Sequence, residues 1–412
     1  MTLRRLGPKL AIVLLLIALG AAQAWAGKAI VVGGLCLDEQ SRPVAGVIVS
    51  DERAVTRSDA EGAFSLGTED DRLICLSAPD GQAIEGPWWL PASQVQGPLT
   101  VRLRSAALAG PLRLAIVSDP HLFDPSCKPD FVGLTDAMAQ KPMEFWAKAV
   151  NLVAQSKPDL TVALGDMCFD ADKQGPAHAQ AQMALAAKAA AMLPQPWRSV
   201  PGNHDVRYDD GAVHLQYYRA QLGPARHVYL AGGVALIMFD NIALGQRPDG
   251  KAKNCGGTSP EALAWLEELL EVLPADKPLV LLAHFPMASA IVGSNPLHKS
   301  SLLRIDEKPG MALRDADQNR DKALALLQGR RLAGWFNGHE HIGHVGVLYS
   351  RQGAISLATA PAICGRWWAG DMEWGPLSFA PGWLEVSVAV TADGVTITPV
   401  MHAFTPALDL HP

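Results

Sequence analysis

The chain has 412 residues, of which 49% are hydrophobic and 18% charged, and a net charge of −6. That length accommodates two or three domains with real cores. The acidic balance gives no general attraction to nucleic acid or to anionic membrane surfaces, so nothing in the composition supports a polyanion partner.

The first 26 residues have the pattern of an export signal: Arg4, Arg5 and Lys9, an apolar stretch from Leu10 to Ala22, then Ala24 and Ala26 around Trp25. Cleavage is expected after Ala26, with Ala24 as the alternative. An uncleaved membrane anchor competes with this reading, but the run is short and Ala-rich. Lipid anchoring is disfavoured because Cys36, the first cysteine, lies well beyond the run. The mature protein is expected to be periplasmic or secreted. Six cysteines fit an oxidising compartment. Six cysteines allow 15 connectivities, and the pairs expected are Cys36 with Cys75, Cys127 with Cys168, and Cys255 with Cys364. A thiolate metal site is the competing reading, against which stands the absence of any Cys-x-x-Cys spacing.

In chain order, residues 27–108 alternate short β-rich runs with turn signals: Ile30 to Val32, Val44 to Val49, Gly62 to Leu66 and Leu73 to Leu76. Strands at that spacing suggest a small β-sandwich. The spacing of Pro43, Val44, Gly46, Val47 and Val49, then Thr56, Asp59, Gly62 and Phe64, resembles the carboxypeptidase-regulatory-like, transthyretin-like modules. No residue in this region carries chemistry.

Over 109–360 the texture changes to buried strands alternating with amphipathic helices. The strands are expected at Leu112 to Val117, Leu160 to Leu164, Arg198 to Val200, Val234 to Phe239, Leu279 to Ala283 and Leu332 to Phe336. Helices are expected at Pro142 to Gln155, Pro176 to Met192 and Pro260 to Leu273. The last has Ser259 as N-cap, Pro260 at its first position and Leu263, Leu266 and Leu270 on one face. This alternation implies an α/β core. Residues 361–412 return to a β pattern, and earlier strands are expected at Val347 to Tyr349 and Ala354 to Ala358; Trp383 to Val390 and Val395 to His402 flank an Asp393-Gly394 turn.

Five segments place hard ligand side chains at the ends of apolar runs: Asp119-Pro120-His121, Gly165-Asp166, Gly202-Asn203-His204-Asp205, Ala283-His284 and Gly338-His339-Glu340-His341. Each alone reads as a loop, a turn or a hydrogen-bonded core histidine. Strand ends are where ligands gather in open α/β sheets, so the five point to one shared site.

In order, these segments resemble the signature of the calcineurin-like metallophosphoesterases: D-x-H, G-D, G-N-H-D/E, H and G-H-x-H. The resemblance implies an α/β fold with a β-sandwich core flanked by helices, a small N-terminal all-β domain and a C-terminal β-rich extension. It further implies two divalent ions (Mn, Fe, Zn or Mg), one held by Asp119, His121 and His341 and one by Asn203, His284 and His339, with Asp166 bridging. His204 is then the catalytic residue that protonates or stabilises the leaving oxygen, with Asp205 orienting its ring. His344, Arg207, Arg366, Trp367 and Trp368 are candidates to line the pocket; His178, His214, His227, His298, His402 and His411 are expected at the surface or in structural roles.

The implied activity is hydrolysis of a phosphomonoester or phosphodiester by metal-activated water, with a small-molecule or lipid-like phosphate ester as substrate and no nucleic acid. A nucleotidase or nuclease of the same fold is one alternative. A non-catalytic envelope protein with a degenerate metal centre is another, and it is the one that predicts a missing ligand.

Overall fold

The computed structural model describes residues 27–123, 142–172, 175–209, 212–246, 252–286, 320–351, 353–365, 373–374, 377–378 and 380–404. The export segment, Cys127, His298, His411 and the Arg366-Trp367-Trp368 run lie outside them.

The N-terminal region is a small sandwich of β1 (Ala29–Leu37), β2 (Ile48–Ser50), β3 (Val55–Arg57), β4 (Ala63–Glu69), β5 (Leu73–Ser77), β6 (Gln82–Ile84), β7 (Trp89–Pro91) and β8 (Leu99–Ser105). Its sheets run β4-β1-β8-β6 and β3-β2-β5-β7. Val32, Phe64, Leu66 and Leu103 of one sheet meet Val49, Ile74 and Leu76 of the other, as period-two alternation requires. The expected strand at residues 44–49 is largely irregular, because Gly46 takes a φ of 88° and breaks the extended backbone.

The second body comprises β9 (Leu112–Val117), α1 (Pro142–Gln155), β10 (Leu160–Ala163), α2 (Pro176–Ala190), β11 (Trp197–Ser199), β12 (Arg207–Asp209), β13 (Ala212–His214), α3 (Gln216–Leu222), β14 (His227–Ala231), β15 (Val234–Met238), β16 (Ile242–Gln246) and β17 (Ala252–Gly256). It continues with α4 (Pro260–Val272), β18 (Leu279–Leu282), α5 (Arg320–Leu326), β19 (Leu332–Asn337), β20 (His344–Ser350), β21 (Gly353–Thr359), β22 (Glu373–Trp374), β23 (Leu377–Ser378), β24 (Gly382–Thr391) and β25 (Gly394–Ala403). Its two large sheets are ordered β11-β10-β9-β24-β25 and β14-β15-β18-β19-β21-β20, and β12-β13, β16-β17 and β22-β23 pair as separate two-stranded sheets. Strands β9, β10 and β11 are parallel, as are β15, β18, β19 and β21.

Because both faces of each sheet are covered, the central strands are apolar throughout. Leu112, Leu114 and Ile116 of β9 face Val234, Leu236 and Met238 of β15 in the layer between the sheets. The alternate residues of β9, Ala115 and Val117, turn outward to α1 and α2, while Ala235 and Ile237 of β15 turn to α4. The metallophosphoesterase sandwich flanked by helices is therefore present. The N-cap of α4 is also as expected: Ser259 Oγ accepts from the Ala262 N–H at 3.1 Å, a contact typically worth about 1 kcal/mol.

The C-terminal β-rich extension is present as β24 and β25. Strand β24 pairs antiparallel with β9, Leu384 opposite Ile116, and so completes the first sheet. Sequence pattern also missed the hairpins β12/β13 and β16/β17 and helices α3 and α5, each too short for its period to register. No helix among the described residues is long and apolar enough to cross a membrane.

Two expected cysteine pairs are not formed. Cys36 and Cys75 are not joined, nor are Cys255 and Cys364. In the first case the pleat is the reason: Cys36 packs into the N-terminal core with Val32, while Ile74 and Leu76 take the core face of β5 and send Cys75 to the other side. The third pair includes Cys127, outside the described residues; Cys168 is a buried thiol.

Candidate metal centre

Each candidate ligand follows a buried strand, at the point where its apolar run gives way to polar residues. Asp119 and His121 follow β9, Asp166 follows β10, Asn203 and His204 follow β11, His284 follows β18, and His339 and His341 follow β19. The two sheets deliver all of these to one end of the sandwich.

The turns that carry the ligands share a rare backbone state. Among the described residues eight non-glycine residues have positive φ, and five of them are Asp119 (51°), His121 (46°), Asp166 (51°), His339 (72°) and His341 (60°). Left-handed backbone costs of the order of 1–3 kcal/mol at such positions and persists only where surrounding structure enforces it. The motifs also press together closely enough to demand glycine. A Cβ on Gly202 would stand 2.1 Å from Asp166 Oδ1, and one on Gly338 would stand 1.9 Å from Ser118 Oγ.

Inside this frame the side chains converge. His121 Nε2 lies 3.0 Å from His341 Nε2, and Asp119 Oδ1 lies 3.8 Å from the first and 3.5 Å from the second. Asn203 Oδ1 is 3.1 Å from both His284 Nε2 and His339 Nδ1. Between the two groups sits Asp166, whose Oδ2 is 3.6 Å from His121 Nε2 and 3.3 Å from His284 Nε2. All seven expected ligands are brought together.

The surrounding hydrogen bonds decide which atoms face the centre. Asp119 Oδ2 accepts from Ser118 Oγ at 2.5 Å and from the His339 N–H at 3.0 Å. Its Oδ1 is buried with no hydrogen-bond partner among the described residues, a costly state for a carboxylate oxygen unless a cation completes it. Asp166 Oδ1 accepts from the His204 N–H at 2.8 Å, which turns Oδ2 inward. His284 Nδ1 donates to the Leu164 carbonyl at 2.7 Å and His341 Nδ1 to the Gly365 carbonyl at 2.8 Å, so each ring presents Nε2. Backbone carbonyls holding the far nitrogen are the usual means of orienting a metal-binding imidazole.

Burial pushes His121 well below the ordinary imidazole range and lowers His341 as well, against the pull of Asp166 and Asp119. Both rings are kept neutral, the state that offers a lone pair. Burial alone would raise Asp166, but His284, His204 and His121 outweigh it and hold the carboxyl well below its usual value. For His284 burial is in turn outweighed by Asp166, which raises the imidazole to about 9. Hard oxygens and imidazoles in this arrangement fit divalent ions of the Mn, Fe, Zn or Mg kind.

Asp205 departs from expectation. Its carboxylate does not orient the His204 ring; it accepts from the Cys168 and Gly202 backbone N–H groups, each at 2.9 Å, and so ties two ligand loops together. Burial, then the charge of Asp166, raises it to about 6. The His204 ring is held instead by the Phe169 carbonyl at Nδ1. Arg207 is buried and reaches the Asp172 carbonyl at 3.3 Å, and His344 Nε2 lies 3.3 Å from Thr359 Oγ1.

Sequence reading missed Ser118, the three carbonyls, and Cys364, whose Sγ lies 3.9 Å from His341 Nδ1. Carbonyls leave no trace in side-chain pattern. It also missed Asn241, at the end of β15, which the strand-end rule could have flagged.

The chain matches the family model for calcineurin-like phosphoesterases over residues 112–343, more than half its length and inclusive of every ligand position above. Among solved structures it is similar to a dimetal phosphatase from Danio rerio, with 11% identity, a TM-score of 0.45 and coverage of 72% of this chain and 100% of that one. It is also similar to GAP50, the anchor in the inner membrane complex of Plasmodium, with 11% identity, a TM-score of 0.37 and coverage of 72% and 89%. A third is the zinc complex of Vps29 from Entamoeba histolytica, with 10% identity, a TM-score of 0.26 and coverage of 70% and 99%. No curated protein matches the chain. The family match and the five motifs it spans make this chain a member of the calcineurin-like phosphoesterase family, a metal-dependent phosphoester hydrolase.

Proposed function

We propose that the chain is an exported enzyme that hydrolyses a phosphomonoester or phosphodiester at a centre of two divalent cations. Asp119, His121 and His341 hold one ion; Asn203, His284 and His339 hold the other. The placement of Asp166 carries this reading: Oδ2 stands between His121 and His284, one from each set, while Oδ1 is spent on the His204 backbone.

When bound, such a pair supplies an activated water and neutralises charge developing on the phosphate oxygens. His204 acts on the leaving oxygen. Its Nδ1 is engaged by the Phe169 carbonyl, so the proton is delivered from Nε2. Asp205 serves by fixing the loop that carries Asn203 and His204.

The preferred substrate is a small or lipid-like phosphate ester, because a chain with a net charge of −6 offers a long polyanion little counterion-release energy. Export is supported by the Arg4, Arg5 and Lys9 cluster followed by the Leu10 to Ala22 run.

Metal analysis with turnover of p-nitrophenyl phosphate and bis-p-nitrophenyl phosphate, before and after chelation, tests the hydrolytic reading. About two ions per chain are expected, with activity lost on chelation and restored on adding metal back. Full metal content with no turnover of any phosphate ester would point to a binding role instead. Comparing single-stranded DNA or RNA with nucleotides, sugar phosphates and phospholipid head-group esters at two salt concentrations tests the substrate class. Faster polymer cleavage with steep salt dependence would overturn the preference for small esters.

A further inference from the structure

The N-terminal sandwich meets the phosphoesterase body through a chain of buried polar groups that ends at a metal-ligand loop. Glu52, in the turn after β2, takes a φ of 71° and is 1% exposed. A buried carboxylate on left-handed backbone has to be compensated. Its Oε1 accepts from the Ala225 N–H at 2.6 Å and the Arg226 N–H at 3.2 Å, and its Oε2 from Arg219 Nε at 2.7 Å. Its carbonyl accepts from Arg226 Nη1 at 2.9 Å.

Arg226 then grips Asp240 with two bonds, Nε to Oδ1 and Nη2 to Oδ2, and both residues are buried. Asp240 lies just past the end of β15. Its neighbour Asn241, fully buried, donates from Nδ2 to the Phe285 carbonyl at 2.9 Å and accepts from the Phe285 N–H at 3.0 Å. Phe285 is the residue after His284, and its ring centroid lies 4.1 Å from that of His339.

We infer that Glu52, Arg226, Asp240 and Asn241 are positioning residues for the metal centre: the N-terminal sandwich clamps the end of β15, and Asn241 holds the peptide that fixes His284 and seats Phe285 against His339. The inference rests on the assignment of His284 and His339 to one cation made above. Two hydrogen bonds of opposite direction to a single residue fix the orientation of the backbone there, and with Nδ1 pinned by Leu164 the imidazole has little freedom left. Ligand sets tolerate only about half an ångström of misplacement, so such support sets affinity. A different link between the same two bodies serves as a contrast. Lys277 pairs with Asp80, but at the opposite end of β18 from His284.

The test uses the full chain and the variants Asn241→Ala, Glu52→Gln and Lys277→Ala, with folding checked by circular dichroism. Metal-free protein is titrated with Co(II), the d–d absorption is followed, and the ions retained after dialysis are counted. Asn241→Ala and Glu52→Gln are expected to weaken one of two Co(II) sites by about 10–100-fold and leave the other unchanged. Lys277→Ala is expected to lower the thermal midpoint of the metal-free chain while both Co(II) affinities stay at the wild-type value. Should Asn241→Ala fail to fold, Glu52→Gln carries the test alone. Wild-type affinity at both sites in Glu52→Gln, or an equal weakening in Lys277→Ala, overturns the inference and leaves the proposed function standing. A wild-type chain that binds no second ion overturns the ligand assignment first, and is seen before any substitution is made.

Discussion

His121 and His341, 220 residues apart in sequence, bring their Nε2 atoms to 3.0 Å. His341 spends its Nδ1–H on the Gly365 carbonyl, so in the neutral ring its Nε2 is an acceptor. Without metal, one proton on His121 Nε2 reconciles the contact. These two rings would offer their Nε2 lone pairs to a cation, and burial favours the neutral form this needs.

Asp166→Asn is expected to remove most activity and weaken both ions, since Asp166 Oδ2 faces an imidazole Nε2 of each set. Metal counting by mass spectrometry checks it. Two ions retained with near-normal turnover would refute the bridging role.

His204→Ala is expected to keep metal and to lower turnover by about 10²–10⁴, most strongly for esters with poor leaving groups. A series of aryl and alkyl phosphates reads the dependence. Equal losses across that series would count against an acid role.

Gly202→Ala is expected to destabilise the chain by about 1–3 kcal/mol and to weaken metal binding, because the new Cβ meets Asp166 Oδ1 at 2.1 Å. Gly110→Ala, with nothing within 4 Å of its Cβ, is the neutral control in the same denaturation experiment.

Thiol titration of the chain unfolded without reductant is expected to find Cys36 and Cys75 reactive. A disulfide-linked peptide containing both would contradict the opposite facing of their side chains.

His227 is held well below its ordinary 6.5, by burial first and then by Arg198. The folded state therefore resists protonation while the unfolded state accepts it, so this contribution is fully present above about 6.5 and is lost as pH falls towards the depressed folded value. Between about pH 7.5 and about pH 5.5 the wild type is expected to lose more thermal midpoint than His227→Phe. Parallel curves would show that His227 does not govern this part of the acid sensitivity.

The candidate ligands were legible in the sequence because each is marked by a local event. A buried parallel strand reads as an apolar run, its end as the first polar residue, and glycines mark the turns where motifs crowd, as at Gly202 and Gly338. Helix α4 was legible for the same reason, its cap and apolar face lying within a few residues of one another.

What the tertiary structure alone decided depends on partners that side-chain pattern does not encode. The rings of His284, His204 and His341 are set by the carbonyls of Leu164, Phe169 and Gly365, and every residue type carries the same carbonyl. Asp205 could have faced the His204 ring; two backbone N–H groups from separate loops claimed it. Strand β24 could have belonged to a separate domain, but β9 offered an edge that a long-range pairing closed. Local periodicity identifies a strand or helix and the polar residues at its end; the choice among distant edges, amides and carbonyls is made only when the sheets pack.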